Sequence, residues 1–245
     1  RFLSFPETVG KLDDFAVANR LSYMLTNSMP DPELMEVARE KKLRQKSVLH
    51  EQTERILNKR GELEFLTRFA DQWLDLVDIG FTEPDRKKHR DFDPIVQHSM
   101  LDETRYFLQD LLKHDASVSH LISAKHTFAN SRLARYYGIE GVAGDKIRRI
   151  DLEHSSNRGG LLAQGAILKV TANGTNTSPV LRGVWVSERI LGKPIPPPPD
   201  NVPAVEPDTR GAKSIREQLQ KHVSDASCAA CHAHIDPPGY ALENF

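Results

Sequence analysis

Cysteine is almost missing from this chain. Two of its 245 residues are cysteine, Cys228 and Cys231, and a fold stapled by several disulfides is therefore excluded. An excess of either charge is missing as well. Lys and Arg number 33 against 34 Asp and Glu, for a net charge of −1. That balance removes the electrostatic basis for nucleic-acid binding, so no nucleic acid is expected as a partner. No apolar run approaches the ~18 residues needed to cross a bilayer, and no membrane span is expected in this chain. The opening RFLSFPETVGKLDDF lacks the basic start and apolar core of a signal peptide. It reads as the interior of a longer protein, and the end at Phe245 reads as a cut. The G-x-S-x-G, G-x-G-x-x-G and P-loop motifs are absent too.

Helical periodicity is what the chain has in quantity. FAVANRLSYML carries Phe15, Val17, Ala18, Leu21, Met24 and Leu25 at helical spacing, with Asp13 or Asp14 to cap it. Pro32 suits a first helical turn, where its missing N–H costs nothing. Further helices are expected in QKSVLHEQTERILNKR, in ELEFLTRFADQWLDLVDI, in IVQHSMLDETRYFLQDLLKH and around NSRLARYYGI. From about residue 141 glycine and polar residues rise. Two helices are expected there, GLLAQGAILKV and PVLRGVWVSERILG, followed by the proline-rich KPIPPPPDNVPAVEP, which favours polyproline II. A last helical stretch, AKSIREQLQKHVSDASCAACHAHI, delivers the cysteines. The expected architecture is mainly α: a multi-helix module over 1–140, then a loop-rich helical module over 141–245.

The cysteines stand in C-A-A-C-H, which matches the C-x-x-C-H signature of covalent c-type haem attachment. Two thiols at this spacing reach the two vinyl groups on one porphyrin edge and form thioethers, and the next residue brings an imidazole under the iron. Cys228 and Cys231 are then the attachment points and His232 the proximal iron ligand. Rival readings stand beside it. A thioredoxin-like dithiol wants a strand before it and a helix N-terminus. A zinc site wants four well-spaced ligands, and Cys228, Cys231, His232 and His234 are too tightly spaced unless a residue such as His222 completes a looser cage. A disulfide across this pair would close a very small loop.

Only 13 residues follow His232, so a sixth iron ligand must come from elsewhere. Met29, in a loop, and Met100 are the candidates, whereas Met24 and Met35 lie on apolar faces and read as core. An open sixth position would instead suit a haem-dependent peroxidase or oxidase. No catalytic residue is assigned. Tyr240 is expected to pack on the ring after Pro237 and Pro238 end the haem-bearing turn. Arg182, like Arg158, could pair with a propionate, with a structural ion pair as its plainer role. TANGTNTSP offers oxygens for calcium but no carboxylate.

RLSYMLTNSMPDPEL, FLTRFADQWLDL, HTFANSRLARYYGI, NRGGLLAQGAILKVTANGTNTSPVLRGVWVSERILGKPIPPPPDNVP and CAACHAHIDPPGYALENF together resemble the C-terminal half of large secreted cytochrome proteins of the planctomycete type. The resemblance covers nearly the whole chain and two adjacent modules of unknown function. It implies covalent haem, electron transfer within a larger exported protein of the periplasm or cell surface, and a redox partner protein or further cytochrome domain. Where that family reads TSNPTRTSP, this chain reads TANGTNTSP, with Gly174 and Asn176.

Overall fold

The computed structural model describes residues 10–60, 62–153, 156–174, 177–196, 217, 223 and 226–243, with backbone alone at 60, 62, 63, 226–228 and 230. The chain is mainly helical. Contacts group it into two units, residues 1–69 and 70–245. Most of the proline-rich stretch and the residues just before the cysteine motif lie outside the described residues.

The first unit begins with α1 (Asp14–Thr26), α2 (Pro32–Arg39) and α3 (Lys46–Arg60). Aspartates start two of them. Asp13 accepts the Ala16 N–H at 2.7 Å and Asp31 accepts the Leu34 N–H at 3.0 Å, and such caps satisfy donors that the first turn leaves orphaned. Pro32 occupies the first turn of α2 as expected. Ala18, Leu21, Leu25, Leu34, Ala38, Leu43 and Ile56 form the core. Met24 does not join them, with 64 % of its surface exposed. One residue is about 100° of helix rotation, which turns Met24 off the stripe that buries Leu21 and Leu25.

Helix α4 spans Glu62–Trp73. In the second unit α5 (Pro94–Lys113) is the longest element, capped by Asp93, and it buries Val96, Met100, Glu103, Thr104, Phe107 and Leu108. After the short α6 (His120–Ser123), β1 (His126–Ala129) packs on α5 and pairs antiparallel with β2 (Arg148–Asp151), His126 facing Asp151 and Ala129 facing Arg148. Helix α7 (Ser131–Tyr136) lies between them, its N-terminus capped by Asn130. The expectation held no strand. HTFA is buried at all four positions, so it carries no alternation of apolar and polar residues to betray a strand.

Two expected helices are each interrupted. GLLAQGAILKV forms a 3₁₀ turn at Leu161–Ala163 and then α8 (Gly165–Val170), with Gln164 extended between them. Long-range bonds hold the break: Thr104 Oγ1 donates to Gln164 Oε1 at 2.7 Å, and the Gly165 N–H donates to Tyr137 Oη at 2.8 Å. Helix α9 (Pro179–Trp185) runs into a π-helical turn over Val186–Ile190.

The last helix, α10 (Ala226–Tyr240), runs straight through Pro237 and Pro238, which corrects the expectation that these prolines end it. Each proline costs a backbone hydrogen bond. The carbonyls that lose their donors belong to Ala233 and His234, both exposed residues where water can serve. Close packing supplies the other part. A Cβ on Gly183 of α9 would lie 1.8 Å from the Ile235 carbonyl oxygen, and one on Gly239 would lie 1.8 Å from that of Pro179. The two helices therefore meet backbone to backbone at two glycines.

Candidate functional site

The C-x-x-C-H motif lies on α10. At about 100° of rotation per residue, positions 231, 228 and 232 fall within an arc of about 100° on one side of the helix. Cys231 is exposed and its thiol is unpaired. His232 stands at the edge of this arc, where a cavity of about 410 Å³ begins. Ala229, His232, Ala233, Asp236, Pro237 and Tyr240 of α10 line it together with Val223. Their spacing is that of one helix face.

His232 is fixed by its own helix. Its Nδ1 lies 3.0 Å from Oδ1 of Asp236, one turn on, and Asp236 is buried. With Nδ1 donating to the carboxylate, the ring is held in one orientation and Nε2 is the nitrogen that would ligate a metal. The group fits a haem on the chemistry of its donors, an exposed thiol and an oriented imidazole beside a cavity. The side chain of Cys228 lies outside the described residues. Among the described residues no cluster of three or more His, Cys, Asp or Glu can hold a metal ion. His222 also lies outside them, and His234 is exposed.

The other residues singled out from the sequence are scattered. Tyr240 lines the cavity beside His232. Arg182 is buried: Nε donates to Thr171 Oγ1 at 3.2 Å, and Nη1 donates to the Leu242 carbonyl at 3.1 Å and to Glu243 Oε1 at 2.9 Å. Its guanidinium thus ties the segment after α10 to α9, which is the plainer, structural role. Arg158 stacks 3.8 Å above the Tyr137 ring and donates to the Ala163 carbonyl. Met100 is buried against Gly165 and lines a different cavity from that of His232. Met29 is 75 % exposed and belongs to the first unit.

Sequence reasoning missed a buried network on α5. Glu103 accepts from Thr127 Oγ1 at 2.5 Å, from Tyr137 Oη at 2.5 Å and from the Gly165 N–H at 3.3 Å. Burial pushes its carboxyl up to about 7 against those three donors, and it drives the Tyr137 hydroxyl well above its ordinary range. One signal existed in the sequence: Glu103 interrupts the apolar stripe that joins Val96, Met100 and Phe107.

No helix among the described residues is long and apolar enough to cross a membrane. No curated protein and no solved structure matches the chain. Residues 158–245 match the family described as PSCyt3, protein of unknown function (DUF1588), and residues 12–139 match PSD4, protein of unknown function (DUF1592). Both are planctomycete-type cytochrome c domain families. The second match covers more than half of the sequence, and the chain belongs to the PSD4 family of proteins of unknown function (DUF1592).

Proposed function

We propose that this chain is a c-type cytochrome module that carries one covalent haem and passes electrons within a larger exported redox protein. Cys228 and Cys231 would hold the haem and His232 would ligate its iron. When bound, the haem supplies one-electron exchange between Fe(II) and Fe(III). The observation that carries this reading is the His232–Asp236 hydrogen bond of 3.0 Å directly behind C-A-A-C-H. A carboxylate on the second ring nitrogen is the usual support of a ligating histidine: it sets the tautomer and raises the basicity of the other nitrogen.

The rest of the chain holds this helix in place. Gly183 and Gly239 let α9 and α10 meet without a gap, so the motif sits on a backbone that has little room to shift. Arg182 anchors the segment beyond it through Leu242 and Glu243. Tyr240 supplies an aromatic wall beside His232. The electron partner is a separate redox protein or a further cytochrome domain of the same polypeptide, and the compartment is the periplasm or cell surface, where covalent haem attachment takes place.

The test is a pyridine haemochrome spectrum after acid–acetone extraction of protein matured in a periplasm. A c-type band that survives extraction, and that Cys231→Ala shifts or weakens, is expected. Matured protein that gives up all its haem to acid–acetone, or never acquires any, contradicts the proposal.

A further inference from the structure

The second unit holds a larger cavity that the haem reading does not use. Its volume is about 560 Å³, and it shares no lining residue with the cavity beside His232. Such a volume suits a small organic ligand, and pockets of this kind are mainly apolar with a few placed polar groups. Phe92, Tyr136 and Tyr137 supply flat aromatic walls, and Met100 and Leu168 add aliphatic surface. The TANGTNTSP loop contributes Ala172, Gly174 and Thr177.

Charge is the telling feature. Lys88, His89, Arg158, Lys169 and Arg182 all line this cavity, and among the described residues no Asp or Glu does. Lys169 is buried, and it spends its protons on the carbonyls of Ile79 at 2.5 Å and Thr82 at 2.8 Å, which carry no net charge. Burial accordingly lowers its pKa. The Arg158 guanidinium carbon lies 3.8 Å from the centre of the Tyr137 ring, an arrangement that holds it over the cavity wall. Arg182 turns its charge to Glu243. Arg158 and Lys169 feel Glu103 and Glu83, which do not line the cavity, and the cavity surface itself presents Lys88, Arg158 and Lys169 to an entering acid. A concave, mostly apolar space lined by one sign of charge concentrates its field inward and favours an ion of the other sign.

We propose that this cavity binds a small organic anion with a flat apolar body, its acid group set among Lys88, Arg158 and Lys169 and its body against Phe92, Tyr136 and Tyr137. The inference stands on this cavity alone and holds whether or not α10 carries haem.

The chain contains four methionines, and Met100 lines the cavity while Met24 and Met29 are exposed in the first unit. Carbon-13 labelling of the methionine methyls in the full chain therefore provides a sensor and internal controls. Titration with 2-naphthoate is expected to move the Met100 signal saturably and to leave Met24 and Met29 in place. The neutral amide of the same ring is expected to bind about tenfold more weakly, a difference that higher ionic strength shrinks. Lys88→Gln, at an exposed side chain, is expected to weaken naphthoate binding about threefold and leave the amide unaffected. Arg158→Lys keeps the charge but loses the guanidinium over the Tyr137 ring, and it is expected to weaken both ligands. A still Met100 signal, equal affinity for acid and amide, or parallel shifts of Met24 and Met29 would each overturn the proposal.

Discussion

Two carboxylates, one in each unit, are held in opposite ways. Asp31 in the first unit caps α2 and also receives both arms of Arg55, Nη1 to Oδ2 at 2.8 Å and Nη2 to Oδ1 at 2.9 Å. That guanidinium holds the Asp31 carboxyl far below the usual range and outweighs the opposing desolvation. Glu103 in the second unit is fully buried, its hydrogen bonds come from neutral donors, and burial raises its carboxyl to about 7 against them and against the more distant pull of Arg158. The first arrangement rewards the charged form and the second penalises it. The lesson is that hydrogen-bond count alone does not fix a carboxylate's behaviour; a facing cation and access to water do.

The two units differ in their backbones as well. Both cap helices with side chains, but the second also depends on close backbone approaches at Gly183 and Gly239. The largest expected effect therefore comes from Gly239→Ala. Its new methyl would stand 1.8 Å from the Pro179 carbonyl oxygen, and backbone cannot swing aside as a side chain can, so a loss of about 3 kcal/mol or more is expected. Trp73 and Trp185 are the chain's two tryptophans, and both belong to the second unit. Their fluorescence during denaturant unfolding reports that loss.

Next comes Glu103→Ala. It strands the Thr127 and Tyr137 hydroxyls and one contact of the Gly165 N–H inside the protein, and a loss of about 3 kcal/mol is expected by the same fluorescence. Little change would show that the network is dispensable.

The third prediction concerns pH. The folded pKa of Glu103, about 7, lies above its ordinary value of 4.5. Below 4.5 the group is protonated in both states, and its stabilisation is complete there. As pH rises toward 7 the unfolded chain releases the proton first, so this contribution falls, by roughly 2–3 kcal/mol. His126 acts in the opposite sense, because burial lowers its pKa and acid favours the unfolded chain. The difference between the native chain and Glu103→Gln isolates the carboxyl. It should slope between pH 4.5 and 7 and flatten above, and a flat difference throughout would contradict the assignment.

The smallest effect is expected in the first unit. Asp31→Ala removes a helix cap and a half-buried ion pair, about 2 kcal/mol in all. This stabilisation is present above the unfolded pKa of an aspartate and is lost as pH falls through and below it. Amide hydrogen exchange in α2 and α3 reads it locally.

The helices were legible because their signals are local. The cap Asp13, the first-turn Pro32 and the stripe of Ala18, Leu21 and Leu25 all lie within one turn of what they specify. C-A-A-C-H was legible for the same reason, its five residues being contiguous. What escaped depends on distant partners. The break at Gln164 needs Thr104 and Tyr137, and the strand HTFA needs the edge that RRID provides. The helix through Pro237 and Pro238 needs the glycine crossing with α9. The large cavity gathers side chains from residues 82 to 182, which no local pattern joins.

The measurement that bears most directly on the central proposal is the mass of the peptide containing Cys228 to His232, cut from protein matured in a periplasm. The account predicts that this peptide carries one haem, and that a Cys228→Ala, Cys231→Ala double variant carries none. A peptide recovered at its unmodified mass, or with its two cysteines joined to each other, from cells whose other c-type cytochromes are fully loaded would contradict it.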